Sequence, residues 1–160
     1  TGRSDGSVML SLPLLNQDYD AIETMMEDEA IVMGLADAGA HVRQIMDSSQ
    51  PTYFLSHWVR DTEFFTLEEG VRRITSDTAD LFGLVDRGRI AEGAYADINV
   101  IDFEKLSLTG PEYVHDFPGG AGRYIQRGAG YNATIVNGKV FMEDGQHTGE
   151  LAGVTLRSTD

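Results

Sequence analysis

Asp37 and His41 are the two side chains whose types and placement best suit chemistry in this 160-residue chain. Asp37 follows the apolar run Ala30–Leu35 and is flanked by Ala36, Ala38 and Gly39, small residues that leave open space over its carboxylate. A carboxylate at the C-terminal end of a buried strand is held still by the strand while the adjoining loops form a pocket, which suits proton transfer. The same position also suits a helix N-cap or loop hydrogen-bonder, the commoner use of such an Asp. His41 lies close enough in sequence to reach the same pocket. An imidazole titrating near neutrality can orient a substrate or relay a proton there, or support the other groups from behind.

The remaining histidines offer less. His57 stands beside Trp58 on an apolar-periodic stretch, where a packed, hydrogen-bonded ring is expected, and His115 and His147 occupy polar contexts that face solvent. No two histidines have the H-x-H or H-x-x-x-H spacing that converges imidazoles on one metal. With no cysteine in the chain, thiolate chemistry and disulfides are excluded, and any metal needs His, Asp or Glu. No Gly-x-Ser-x-Gly elbow supports a serine nucleophile. Gly119-Gly120-Ala121-Gly122-Arg123 lacks the features of a phosphate-binding loop and reads as turn chemistry.

The elements that must position these residues follow from periodicity. Tyr19, Ile22 and Met26 recur at helical spacing among the acids of Asp18–Glu29, which predicts a short, half-exposed helix with a solvated acidic face. Ala30–Leu35 reads as a buried parallel-type strand. Gln50-Pro51-Thr52 breaks the chain before Tyr53–Val59, where a short helix fits. Thr66-Leu67-Glu68-Glu69 is a helix start with a hydroxyl cap and a carboxylate placed to cap reciprocally. Leu67, Val71, Ile74, Thr78 and Leu81 form the expected buried stripe, and Gly83 the stop. Beyond it come short β-type runs. Asn137-Gly138 between two such runs predicts a hairpin, because both turn residues need positive φ. Thr109–Tyr131, rich in Gly and Pro, reads as a long loop. The expected class is α/β followed by mostly β, with a boundary between residues 86 and 87.

Composition limits the partners. The 26 acids and 12 bases give a net charge of −14 with His neutral, so nucleic acid and anionic lipid surfaces are not expected partners. The acid is regional: residues 1–30 hold seven acids against Arg3, whereas residues 121–160 balance four against four. With 41% hydrophobic and 24% charged residues, a packed core is expected. No apolar run approaches the roughly 20 residues of a membrane span, and no signal peptide is evident, so a cytoplasmic setting is the default.

Several segments together carry a resemblance. Gly34-Leu35-Ala36-Asp37-Ala38-Gly39-Ala40-His41 resembles the eighth-strand segment of the amidohydrolase superfamily, particularly the D-aminoacylase, or N-acyl-D-amino-acid deacylase, branch. Pro51-Thr52 and His57-Trp58-Val59-Arg60 resemble the loop and helix that follow. Gly83-Leu84-Val85-Asp86-Arg87-Gly88, Ile90 and Glu92 through Asp97 resemble the return from the barrel into its β-sandwich. Val136 through Val140, His147-Thr148-Gly149 and Gly153 through Arg157 resemble the closing strands. Thr75-Ser76-Asp77-Thr78-Ala79 departs from the Thr-x-x-Pro-Ala of many members.

The resemblance implies metal-dependent amide hydrolysis, with Asp37 as the general acid/base and potentially a metal contact, His41 as a substrate-side group and Zn as cofactor. The family's other metal ligands belong upstream of Asp37. Since a complete barrel takes about 250 residues, residues 1–86 are expected to be the end of a (β/α)8 barrel, its last strand and helix. Residues 87–160 would be the C-terminal part of a β-sandwich. The implied partners are an acylated amino acid as small-molecule substrate and the N-terminal barrel portion, with oligomer formation left open and the isolated chain inactive. The alternative reading is a non-catalytic β-rich binding or oligomerisation module.

Overall fold

The computed structural model describes residues 15–34, 36–41 and 45–157. Residues to Val32 and residues from Met33 onward form two compact units. The first contains helix α1, Tyr19–Glu27, opened by Asp18, whose side chain accepts a hydrogen bond from the Ala21 backbone N–H at 3.2 Å. This satisfies one of the donors that every helix start leaves free. Ile22 and Met26 are half-buried, as the spacing predicts, whereas Tyr19 is exposed; the acids are exposed except Glu23, which is half-buried.

The strand expected over Ala30–Leu35 is not formed: residues 30–34 have no strand geometry, Ile31 is 45% exposed, and Leu35 lies outside the described residues. A strand exists only when its N–H and C=O groups pair laterally. All strands among the described residues lie between Ile98 and His147 and pair with one another. Apolar composition alone therefore cannot make this segment a strand.

The second unit has its core in a helical layer. α2, Gln50–Tyr53, runs into a π-helical segment, Phe54–Asp61, whose wider turn is shown by the Thr62 N–H donating to the His57 carbonyl at 2.9 Å. Phe54, Leu55, Trp58 and Val59 are each at most 5% exposed. α3, Leu67–Ile74, is capped by Thr66, whose hydroxyl accepts from the Glu69 N–H at 3.2 Å. The Glu69 carboxylate is held by Arg72 and Arg73 instead of returning to the cap. These hydrogen bonds hold it below the usual carboxylate range.

One continuous helix to Gly83 is expected, but the chain breaks at Thr75, which has φ −125° and ψ −85°, before α4, Ser76–Leu81. The hydroxyls of Thr75 and Thr78 donate to the carbonyls of Val71 and Arg73 at 2.6 and 3.1 Å. Such back-bonding competes with the helix ladder and bends it. The expected apolar stripe is correspondingly displaced. Leu67, Val71 and Leu81 are exposed, and the buried residues are the small ones, Gly70 and Ala79. Gly70 lies where an added Cβ would meet Val59 Cγ2 at 2.4 Å, so α3 lies directly on the π-helical segment.

The β elements follow. β1 (Ile98–Ile101), β6 (Tyr131–Val136), β7 (Lys139–Glu143) and β8 (Gln146–His147) form an antiparallel sheet in the order β1-β6-β7-β8. Bulges lie at Val100/Ile101 and Thr134/Ile135. The hairpin at Asn137-Gly138 forms as expected, with φ of 48° and 77°. The supposed loop 109–131 is more ordered than its composition suggests. β3 (Glu112–Val114) pairs with β4 (Arg123–Ile125), and β2 (Ser107–Leu108) pairs with β5 (Gly128–Ala129). Two of its glycines serve close approach: a Cβ on Gly122 would lie 2.4 Å from the Tyr113 ring, and one on Gly130 would lie 2.8 Å from Leu106 backbone. Residues 153–157, expected to close the sheet, have no strand geometry. No helix among the described residues is long and apolar enough to cross a membrane.

Candidate active site

Asp37 and His41 sit in one turn, residues 38–41. The Ala40 N–H donates to the Asp37 carbonyl at 3.0 Å, and the Gly39 N–H donates to the Ile45 carbonyl at 2.9 Å. Gly39 has φ +90° with open space where a Cβ would be, and His41 has φ 53°. A positive φ is uncommon for His and marks a backbone held by its turn. Both side chains are exposed, and neither has a hydrogen-bond partner among the described residues. The turn thus brings the two predicted residues close along the chain and turns them to solvent. It supplies no third group.

A metal needs more. Among the described residues no group of three or more His, Asp or Glu side chains is gathered to hold an ion. Asp37 offers one carboxylate and His41 one imidazole, so the residues present do not by themselves fit a metal centre. A shallow open cleft of about 260 Å³ is lined in part by Arg127, Tyr131, Thr134 and Met142, and neither Asp37 nor His41 borders it. It contains no nucleophile and base pair, and no chemistry is assigned to it.

The other histidines occupy the places read from sequence. His57 is half-buried, stacked on Tyr53 with ring centroids 4.9 Å apart and edge-on to Trp58 at 4.8 Å. His115 and His147 are exposed, the first hydrogen-bonded to the Gly120 carbonyl and the second accepting from the Gly149 N–H.

The sequence reading missed the links by which the segment after His41 is held. Arg60, on the π-helical segment, donates from one guanidinium nitrogen to the carbonyls of Phe103 and Leu106 at 3.1 and 2.6 Å, and from Nε to Asp61 at 2.8 Å. That last hydrogen bond holds the Asp61 carboxyl below its usual range. Thr52, buried, shares a 2.7 Å hydrogen bond with the Tyr131 hydroxyl, and the Ser49 hydroxyl donates to Gln126 at 2.6 Å. A charged residue directly after the apolar period of residues 54–59 was the one available signal. Only Arg presents a planar fork able to serve several carbonyls at once. Arg60→Met is expected to lower the thermal midpoint by several degrees, with Arg60→Lys in between. A calorimetric scan in which Met and Lys variants match wild type would contradict the link.

A second junction joins the helical layer to the sheet. The Arg87 guanidinium lies over the Tyr95 ring at 4.2 Å and is ion-paired with Asp97, whose other oxygen accepts the Asn137 N–H at 2.8 Å. The Tyr95 N–H donates to the Asp86 carbonyl at 3.0 Å. Gly88, at φ +76°, abuts Thr75 and Ala79.

Residues 11–142 match the model of the amidohydrolase family. A D-aminoacylase of Alcaligenes xylosoxydans xylosoxydans is 33% identical over 105 residues, 66% of this chain and 20% of that protein. An N-acyl-D-glutamate deacylase of the same organism is 49% identical over 55 residues, 34% of this chain and 11% of that protein. Among solved structures, a D-aminoacylase described with a binuclear metal centre superposes with a TM-score of 0.52 at 34% identity, covering 64% of this chain and 20% of the other. The chain thus spans about a fifth of the D-aminoacylase it matches.

Proposed function

Because the chain belongs to the amidohydrolase family, we propose that it is the C-terminal portion of a zinc-dependent hydrolase that cleaves the amide bond of an N-acyl-D-amino acid. The likeness to two relatives that both deacylate D-amino acids, by their names, carries the reading. In this proposal the helices to Leu81 belong to the end of a (β/α)8 barrel and the strands from Ile98 belong to a β-sandwich. Asp37 moves a proton between the attacking water and the leaving amine, a task for an ionisable group within hydrogen-bond reach of both. His41 contacts the substrate beside it. The exposure of both side chains suits residues whose partners lie on other segments. The substrate is a small acylated amino acid and the setting the cytoplasm. Apart from a contact from Asp37, the zinc ligands lie on residues other than those described, and no step is assigned to the metal.

A free-standing β module is the weaker alternative, since no residue of β1, β6, β7 or β8 is fully buried. Large apolar side chains at the preceding junction, Phe82, Val85 and Ile90, are 73%, 86% and 88% exposed. An isolated domain rarely tolerates such exposure.

The test is hydrolysis of N-acyl-D-amino acids by this chain with Zn²⁺, alone and together with a polypeptide supplying the upstream part of the family fold. No turnover alone and turnover together is the expected outcome. Turnover by the chain alone would refute its proposed dependence, and a reconstituted protein inert on every N-acyl-D-amino acid would refute the substrate class.

A further inference from the structure

Asn137 is the one asparagine of the chain followed by glycine; Asn16, Asn99 and Asn132 precede Gln17, Val100 and Ala133. An Asn-Gly pair is chemically labile, because glycine offers no side chain to hinder attack of its backbone nitrogen on the preceding amide. The Gly138 nitrogen attacks Asn137 Cγ, a C–N bond forms, and the Cγ–Nδ2 bond breaks to release ammonia, which carries off the proton from Gly138. Water then opens the resulting succinimide to aspartate or isoaspartate. One water is consumed and one ammonia lost, with no change of oxidation state, and one negative charge is added.

The fold opposes each part of that reaction. The Gly138 N–H, which must lose its proton, donates to the Ala96 carbonyl at 3.0 Å. The Asn137 N–H is held by Asp97 at 2.8 Å, which fixes the turn. The leaving nitrogen, Nδ2, donates to the Ala152 carbonyl. Oδ1, where negative charge would develop as the tetrahedral intermediate forms, is buried with no hydrogen-bond donor among the described residues. An oxyanion that no dipole stabilises is costly in a water-excluded place. Two of these restraints belong to the hairpin and its neighbour 96–97. The hold on Nδ2 comes from the irregular segment 151–157, whose Leu151, Val154 and Leu156 are 85%, 62% and 51% exposed. That segment makes little apolar contact of its own. The nearest ion pair, Lys139–Glu150 at 3.3 Å, lies just before it.

We propose that Asn137-Gly138 is a latent deamidation site that the segment 151–157 keeps closed by holding the Asn137 amide. Where the segment detaches, Nδ2 is freed, water reaches Oδ1, and the turn converts to aspartate or isoaspartate. Isoaspartate adds a backbone methylene within a two-residue turn, which shifts the register of β6 against β7, so the change is also structural.

The experiment follows deamidation by peptide mapping and mass spectrometry during incubation at physiological temperature and mildly alkaline pH. Four samples are compared: the native chain, the same chain in concentrated urea, a chain ending at Glu150, and Ala152→Asp in the full chain. Circular dichroism checks that each variant keeps its sheet, and Ala152→Asp carries the test should truncation unfold the chain. Native Asn137 is expected to convert at least about tenfold more slowly than in urea. The folded variants should recover at least about threefold of that gap, the size expected when one or two hydrogen bonds no longer oppose a reaction. Asn16, Asn99 and Asn132 serve as internal controls. Equal native and urea rates at Asn137 would overturn the proposal, as would folded variants that convert no faster than the native chain.

Discussion

Asp37→Asn is expected to lower kcat for an N-acyl-D-amino acid by about a thousandfold, within the range that a positioned acid–base group contributes. The measurement belongs in this chain combined with a polypeptide that supplies the upstream part of the family fold. KM should move only a few-fold, since the change keeps the shape of the side chain and removes only the capacity to take and return a proton. In this chain alone, Asp37→Asn should leave the thermal midpoint unchanged, because the carboxylate is exposed and has no hydrogen-bond partner among the described residues. Those two results together separate a chemical role from a structural one. A stability loss with kcat intact would assign Asp37 to the loop, the commoner use of an Asp at such a position. His41 gives the complementary pattern. As a substrate-side group its replacement by Asn should raise KM more than it lowers kcat.

Gly88→Ala is the substitution expected to damage this chain most. Gly88 sits at φ +76°, a conformation that costs an L-residue roughly 1–2 kcal/mol. Its new Cβ would stand 2.6 Å from the Ala79 Cβ and 2.8 Å from the Thr75 carbonyl oxygen, neither of which is the mobile end of a side chain. Overpacking of that kind adds about 1–3 kcal/mol, so a total near 3 kcal/mol is expected. For a domain of this size that lowers the thermal midpoint by about 10 °C. Gly93→Ala is the control, since Gly93 has a similar φ of +85° with nothing within 4 Å of the added carbon. It should lose only the backbone part, about 1 kcal/mol. If both glycines respond equally to calorimetry, the close approach of residue 88 to α4 is not what holds that junction. The junction matters because Arg87 and Asp97 tie it to the hairpin turn through the Asn137 N–H. Displacing Gly88 should therefore also loosen the turn that protects Asn137, which the mass-spectrometric assay reads independently.

Some of this molecule was legible from sequence because the controlling interactions are local. Asp18 and Thr66 cap their helices through backbone groups three residues away. Asn137 and Gly138 adopt the two positive φ angles that a two-residue hairpin demands. Gly83, at φ +69°, stops the helical region. The family likeness was legible too, since Asp37, His41, the Asp86-Arg87-Gly88 turn and Asp97 are matters of residue type and order. Arg87, Gly88 and Asp97 proved to share one junction; Asp37 and His41 share one turn.

Where a segment's state depends on partners distant in the chain, tertiary structure decided against the local pattern. Ala30–Leu35 has the composition of a buried strand, yet residues 30–34 form none, because lateral hydrogen-bond partners are a property of neighbours and not of the segment itself. The stripe Leu67, Val71 and Leu81 has helical period, but the hydroxyls around Thr75 bend the helix. Gly70 and Ala79 then make the close contacts, because only small residues let the backbones approach. Residues 109–131 look like a loop by their Gly and Pro content, whereas Tyr113, Tyr124 and the glycine at 122 pack into a ladder that only the fold brings together. Arg60 acquires its role from carbonyls some forty residues away. What depended on backbone preference and capping was therefore determined by the sequence itself, while burial, strand pairing and the chemical protection of Asn137 were decided by contacts that exist only once the chain has folded.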